Sequence, residues 1–353
     1  MDFATNDLIV TGALGWLGQR LVESIVHGLP DHPALRLPAA ASHVRAFVLP
    51  GQDATELLRR CPGIQIVTGD VRSTEDCERL FAGTQRAVVF HTAGVIHPRR
   101  VREFSEVNVR GTQNVLAAAE RHGARRAVVV SSNSPCGCNP HPDHLFDEHS
   151  PYRPYMHYGR SKMQMELAVH AAQSRGALET VLVRTPWFYG TNQPPRQTLF
   201  FSMVRDGKAP IVGGGHNLRS MSYLDNLCQG LLLAALTPRA AGQVYWIADR
   251  RPYSMNEIID TIERLLEDEF GHRCAHRRMR LPGLASDIAR AVDFSLQAVG
   301  LYHQKIHVLS EMNQTIACSM ARAERELGYD PRIELEEGMR RSLRWCVERG
   351  VKF

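Results

Sequence analysis

The chain has 353 residues, room for about two domains of ordinary size or one large domain with a lobe. Hydrophobic residues at 44% and charged residues at 22% match a folded globular protein and exclude a disordered, collagenous or fibrous chain. Forty-two Lys and Arg against 37 Asp and Glu leave +5 over the whole length, too small an excess for a nucleic-acid footprint, and the basic clusters Arg121 to Arg126 and His272 to Arg280 read as solvated faces.

Polar Asn6 and Asp7 precede the first apolar run, with no secretory-signal pattern, and Asp7 to Val10 reads as a buried strand. Thr11-Gly12-Ala13-Leu14-Gly15-Trp16-Leu17-Gly18 follows, and helical periodicity runs from Gln19 to Val26. Strand, glycine turn and helix form the context of a dinucleotide site. Gly12 permits the tight turn, Gly15 lets backbone N–H groups approach a pyrophosphate, and Gly18 lets helix and strand pack closely. The helix N-terminus then faces the anion. The spacing is GxxGxxG rather than GxGxxG, and three glycines can also make a purely structural turn.

Leu29 to Ser42, with three prolines, reads as a surface loop. Further strands are expected at Val44 to Leu49, Ile64 to Val67, Ala87 to His91 and Ala127 to Val130, with helices at Ser73 to Leu80, Asn108 to Glu120 and Met163 to Gln173. This alternation implies a doubly wound parallel α/β sheet, with cofactor loops at the carboxyl ends of its strands, near Asp70 and Thr92-Ala93-Gly94. Asp70 suits an adenine amino group or, equally, a local cap.

Tyr158 and Lys162 stand four residues apart at the start of a helix and share a face. A neighbouring ammonium favours phenolate, so Tyr158 is expected to have a lowered pKa and to exchange a proton with an alcohol or ketone. Ser132 ends the fifth strand, where a hydroxyl can bond the same substrate oxygen. From Trp187 the chain is expected to leave the sheet for a smaller lobe and to return at Ala241 to Ala248. Ser254 to Glu267 and Leu335 to Arg349 are helical by period. Pro282 to Val299 is a weaker amphipathic helix with Leu284, Ile288, Val292 and Leu296 on one side, and it is expected to pack on the lobe; an interfacial membrane helix is the minority reading.

These motifs together resemble an extended short-chain dehydrogenase/reductase, of the epimerase/dehydratase and 3β-hydroxysteroid dehydrogenase group. The resemblance spans nearly the whole chain. It rests on Thr11 to Gly18, Gly69-Asp70-Val71, His91 to Gly94, Asn108 to Thr112, Ser131-Ser132, Tyr158 with Lys162, Arg184-Thr185-Pro186 with Tyr189-Gly190, Arg219 to Asn226, and the tail Ala321 to Tyr329. It implies a Rossmann-type sheet and a catalytic set of Ser132, Tyr158 and Lys162. A cofactor surface is implied from Gly12, Leu14 to Gly18, Asp70, Val71, Thr92 to Gly94, Tyr158, Lys162 and Pro186. Asn108 usually supports the helix carrying Tyr158 and Lys162 in this group, or is an N-cap.

Departures from the group narrow the reaction. Ser132 is followed by Asn133-Ser134 rather than an Asp-Glu pair, which disfavours dehydration. Trp187 stands in a loop where sugar-nucleotide epimerases usually place an asparagine for the diphosphate; an indole can cover a ring-shaped substrate or fill a core. Arg219 matches a diphosphate-binding arginine of the sugar-nucleotide enzymes, and Arg196 and Gln193 share a candidate loop; a lone loop arginine is otherwise a surface charge. Asn133, Ser134, Trp187, Arg196 and Arg219 are therefore the substrate candidates. Val48-Leu49-Pro50 after the second strand presents neither the usual acid nor a base; with Asp53 close behind, NAD is preferred over NADP.

Cys136-Gly137-Cys138 lacks further ligands at zinc spacing, the eight cysteines read as reduced thiols, and no metal is expected. No transmembrane segment stands out. The expectation is a cytoplasmic NAD(P)-dependent oxidoreductase acting on a secondary alcohol or ketone, 3β-hydroxysteroid-dehydrogenase-like, and a homodimer pairing through the helices at Asn108 to Glu120 and Met163 to Gln173. The alternatives are a nucleotide-sugar 4-epimerase or 4-ketoreductase, and a non-catalytic dinucleotide sensor. Residues 1–186, with 220–250 returning, would form the cofactor domain, and 187–219 with 251–353 the substrate lobe.

Overall fold

The computed structural model describes residues 7–35 and 41–353. Residues 1–6 and 36–40, with part of the expected proline loop, lie outside the described residues.

The chain alternates strand and helix as β1 (Leu8–Thr11), α1 (Trp16–His27), β2 (Val44–Val48), β3 (Gln65–Thr68), α2 (Thr74–Phe81), β4 (Val88–His91), α3 (Thr112–Arg121), β5 (Arg126–Ser132), α4 (Met156–Arg175) and β6 (Glu179–Thr185). After an excursion it returns with α5 (Leu224–Leu236) and β7 (Val244–Trp246). The seven strands form one sheet in the order β7-β6-β5-β4-β1-β2-β3, every neighbouring pair parallel. Strand order reverses between β1 and β4, and an open parallel sheet forms its ligand crevice at the carboxyl ends flanking such a point.

Burial on both faces explains the nearly continuous apolar strands. On β1, Leu8 and Val10 join a core under α1 and α5, while Ile9 faces a second core under α2, α3 and α4. A third core, with Phe201, Ile258, Ile262, Met339 and Leu343, is built where helices Pro195–Arg205, Met255–Asp268 and Leu335–Glu348 pack together. Ser254 caps the middle one by accepting from the Glu257 backbone N–H.

Four expectations are corrected. Leu29, in the expected surface loop, is buried in the first core. Arg126 is no solvated charge: fully buried, it donates to the carbonyls of Ala234, Ala235 and Thr237 at the end of α5 and pairs with Glu179. A helix C-terminus exposes carbonyls that a guanidinium satisfies. The helix expected from Asn108 starts earlier, with a wide-turned stretch over Phe104–Gly111 leading into α3.

The fourth concerns α6 (Leu284–Ala298), followed by α7 (Gln304–Glu311). Its apolar side is turned outward: of the expected stripe Leu284, Ile288 and Val292 are exposed and only Leu296 is half-buried, Phe294 is exposed as well, and Ser286, Ala289, Asp293 and Gln297 are buried. The polar side faces inward because it has partners there. Ser286 donates to the Ser310 carbonyl, Asp293 pairs with His307 at 2.7 Å, and the Gln297 amide oxygen accepts from the His157 N–H at the start of α4.

Gly18 fixes the seat of α1. A Cβ there would lie 2.1 Å from the Gly12 carbonyl oxygen, backbone that cannot swing aside. Gly18→Ala should therefore cost about 1–3 kcal/mol through overpacking, read as a lower urea midpoint; an unshifted midpoint would contradict this packing.

Candidate active site

The glycine turn is shaped as an anion cradle. Gly12 takes φ +68°, and a Cβ on it would sit 2.8 Å from Ala93, so the turn touches the end of β4 directly. Thr92 fastens that contact by donating to the Thr11 carbonyl. Gly15 is exposed and caps α1 without any side-chain bond, and the helix's first turn holds no acid. The Gly15 N–H closes the turn onto the Gly12 carbonyl at 2.9 Å, and the start of α1 beyond it presents backbone N–H groups at a dipole's positive end, which suits a pyrophosphate. Leu14 is half-buried and Leu17 buried, so backbone is what this turn offers. Trp16 donates from its indole to the Thr191 carbonyl and packs on Phe188, tying the turn to the segment after β6.

At the end of β3, Asp70 accepts from the Arg72 backbone and pairs with the Arg72 guanidinium at 2.6 Å. Burial would raise its pKa, but these bonds outweigh it and hold the carboxyl below the ordinary range. Val71 is buried, and a Cβ at Gly111 would lie 2.7 Å from its side chain, so only its backbone could meet a ligand. Asp53 holds the Thr55 N–H, and Leu49 is exposed just past β2. Pro186 is buried where β6 ends.

Ser132, Tyr158 and Lys162 come together where β5 ends and α4 begins. Ser132 neighbours the Tyr158 phenol and acts to lower its pKa, and its Oγ lies 3.3 Å from both Asn133 Oδ1 and Ser134 Oγ. Lys162 is buried, donates to the Val130 carbonyl at 2.9 Å, and has Nζ 3.9 Å from where a Gly94 Cβ would stand. The glycine turn, Ala93-Gly94, Lys162 and the Ser132–Tyr158 pair thus form one continuous wall.

The electrostatics differ from the expectation that Lys162 lowers the phenol's pKa. Burial pushes Tyr158 up to about 12, Ser132 acts to lower it and Glu311 to raise it further. Burial brings Lys162 down to about 8, against the opposing pull of Glu166. Enclosing a charge in low dielectric favours the neutral form of each group, and here that outweighs the opposing effects of Ser132 on Tyr158 and of Glu166 on Lys162.

Several residues that organise this wall carry no motif. Glu166, fully buried one turn beyond Lys162, accepts from Ser131 at 2.5 Å and Tyr152 at 2.8 Å and pairs with buried Arg184 at 2.7 Å. Asn108 is no N-cap: it lies inside the wide-turned helix, donates to Ser161 beside Lys162, and clamps the backbone N–H and carbonyl of Val95. His91, held near pKa 3 mainly by burial, joins Thr11 on β1 to Thr112 on α3.

Opposite the phenol, Phe104 packs against both Tyr158 and Tyr302, and the Tyr302 hydroxyl meets His97 at 2.8 Å. His307 lies behind Tyr302, its pKa raised because the bond to Asp293 overcomes burial.

The substrate candidates divide. Ser134 and Asn133 adjoin Ser132. Arg219 is no free surface charge: its guanidinium is enclosed, donates to the Glu311 carbonyl at 2.5 Å, and has Cys138 and the Glu311 carboxylate as neighbours. Arg196 acts electrostatically on His97 and Tyr302. Trp187 packs edge-on against Phe200 in the lobe core, and Gln193 is buried against Cys346. All eight cysteines are free thiols; burial raises Cys136 to about 11 and Cys138 to about 12. Among the described residues no metal-ligating cluster occurs and no helix is long and apolar enough to cross a membrane.

Comparison with known proteins agrees with this architecture. The family model described as NAD dependent epimerase/dehydratase family matches residues 8–248. An uncharacterised protein of Sinorhizobium fredii, y4nL, is 51% identical over 347 residues, 98% of this chain and 96% of that one. The 3beta-hydroxysteroid-dehydrogenase/decarboxylase isoform 1 of Arabidopsis thaliana is 28% identical over 95% of this chain and 78% of its own. Among solved structures, the dTDP-glucose 4,6-dehydratase DesIV of Streptomyces venezuelae, with NAD and TYD bound, superposes with a TM-score of 0.73 at 25% identity, covering 98% of each chain. With the glycine cradle, the parallel sheet and these relatives in agreement, the chain is an enzyme belonging to the NAD dependent epimerase/dehydratase family, within the extended short-chain dehydrogenases/reductases.

Proposed function

We propose that the protein is an NAD-dependent oxidoreductase interconverting a secondary alcohol and a ketone on an apolar, ring-shaped substrate, as a 3β-hydroxysteroid dehydrogenase does. The observation carrying this reading is the junction of β5 and α4, where two hydroxyls and an enclosed ammonium abut the glycine cradle. A bound nicotinamide dinucleotide supplies the hydride donor or acceptor. The N–H groups of Leu14 to Gly18 would hold its pyrophosphate, Asp70 and Val71 its adenine, Thr92 to Gly94 and Pro186 its inner half, and Lys162 its ribose.

Tyr158 is the catalytic acid and base. With a pKa near 12 it holds its proton at neutral pH and is ready to give it to a carbonyl oxygen becoming an alcohol; the reverse reaction returns that proton to it. Ser132 donates to the same substrate oxygen. Asn133 and Ser134, where dehydration would call for acids, leave that chemistry without a proton carrier, and the Phe104–Tyr302 wall favours an apolar ring. The preference for NAD over NADP follows from Val48-Leu49-Pro50, which offers a 2′-phosphate no cation. Residues 1–186 and 220–250 act as the cofactor domain and the remainder as the substrate lobe, in a cytoplasmic homodimer joined through α3 and α4, where Leu167 is exposed.

A nucleotide-sugar 4-epimerase or 4-ketoreductase is the second reading, favoured by one observation: the enclosed guanidinium of Arg219, whose fork suits a diphosphate. Screening NAD and NADP with 3β-hydroxysterols against nucleotide diphospho-sugars, followed at the reduced-nicotinamide absorbance, separates the two. In the second case Arg219→Met raises KM for the nucleotide sugar at least about tenfold. Tight dinucleotide binding without turnover on either class would mark a sensor and overturn both.

On whichever substrate reacts, Tyr158→Phe should lower kcat by about 10²–10⁴ while dinucleotide binding stays measurable; near-normal turnover would sink the assignment. Lys162 yields a stability test with a definite sign. Its folded pKa of about 8 lies below the ordinary 10.5. Below pH 8 both states hold the proton and the folded protein bears the full cost of enclosing it; between 8 and 10.5 only the unfolded state stays charged, and the cost fades. Lys162→Met should therefore be more stable than wild type at pH 7, with the gap closing towards pH 10, and less active throughout. Urea midpoints at the two pH values check it, and a gap that widens with pH reverses the argument.

A further inference from the structure

The outward face of α6 is unlike the rest of the surface. Leu284, Ile288, Val292 and Phe294 are 65%, 57%, 43% and 60% exposed, and Val299 and Leu301 prolong the stripe at 73% and 55%. A contiguous apolar strip along a helix of 15 residues, about 22 Å long, is more than a lone surface leucine and marks a contact surface. Rotating α6 to bury it would take Asp293, Ser286 and Gln297 away from His307, the Ser310 carbonyl and the His157 N–H, which would stay inside without them.

Charge says what covers this strip. Residues 271–310 contain six Lys and Arg but two acids, Asp287 and the buried Asp293, in a chain whose whole excess is +5. Arg280 leads into α6, Lys305 lies beyond its end, and Arg100 pairs in backbone register with Leu301, with Arg99 beside it. None of these four makes an ion pair among the described residues. A second copy laid on the strip about a two-fold axis would set each cation against its own kind, which opposes pairing. An apolar strip rimmed by the unpaired cations Arg280, Lys305, Arg99 and Arg100 matches an anionic bilayer, with the helix in the plane of the headgroups and its apolar face in the acyl boundary.

We infer that the outer face of α6, continued by Val299 and Leu301, docks on an anionic lipid surface. The same helix turns Asp293 and Gln297 towards His307 and His157 beside Tyr158, so docking sets the cleft close to the bilayer. The inference rests on the surface alone and not on the proposed reaction.

The test is flotation of the whole protein with vesicles of phosphatidylcholine, with and without phosphatidylglycerol. Partitioning should be at least about tenfold higher onto the anionic vesicles and should fall several-fold at high salt. Ile288→Glu with Phe294→Glu should lower it about a hundredfold, because two apolar insertions are lost. Both positions are exposed and glutamate favours helix, so an unchanged circular dichroism spectrum confirms folding; the Ser pair at the same positions is a second variant. Three results overturn the inference: wild type that stays in solution with both vesicle types, a double variant that still floats, or a wild-type dimer that the double variant dissociates, which would make a second copy the occupant.

Discussion

One buried carboxylate holds Ser132, Tyr158 and Lys162 in place. Glu166 has no access to water, and Arg184, Ser131 and Tyr152 together supply the hydrogen bonds its carboxyl oxygens would otherwise take from solvent. Each partner comes from a different piece: Arg184 from β6, Ser131 from β5 next to Ser132, and Tyr152 from the segment before α4. A charge that cannot be left unpaired is a strict positioning device, because any shift of α4 along the sheet exposes the full desolvation cost. Lys162 stands one turn from Glu166 and Tyr158 one turn further, so the network fixes their height over the β5 end.

The second constraint is the contact of the glycine turn with β4. Backbone meets backbone there, with Gly12 against Ala93, and Thr92 and Thr11 bond across the seam. Asn108 carries the order onward by spanning Val95 and Ser161, joining the loop after β4 to α4. The dinucleotide cradle and the phenol are therefore parts of one hydrogen-bonded frame at the strand-order reversal. This is why a cofactor laid on the turn would reach the Tyr158 wall.

The sheet and its carboxyl edge were legible because local signals coincide: apolar runs short enough for buried strands, glycines where φ is positive or a Cβ would collide, and helical period between them. Ser132, Tyr158 and Lys162 were legible as positions, but the direction of the Tyr158 shift was not. Spacing shows a neighbouring ammonium and is silent about burial, and burial decides the balance. Glu166, Tyr302 and His307 escaped notice because a lone acid or ring has no pattern; their meaning comes from partners far along the chain. Arg126 was misread for the same reason, since a basic cluster looks identical whether it faces water or the carbonyls ending α5.

The reversal of α6 is the most instructive mismatch. A 3.6-residue period identifies two faces but not which one is inside, and the usual assumption that the apolar one is buried holds only when the polar face has no obligations. Here the polar face is obliged: Asp293 must meet His307, Gln297 the His157 N–H, and Ser286 the end of α7. Turning those groups outward would put them in water but leave the His307 ring, the His157 N–H and the Ser310 carbonyl without these partners inside, and a buried polar group without a partner is costly. Such a violation of binary patterning is expected where a site needs polar groups, and α6 supplies them to the cleft's outer wall while its other face is left for a partner outside the chain.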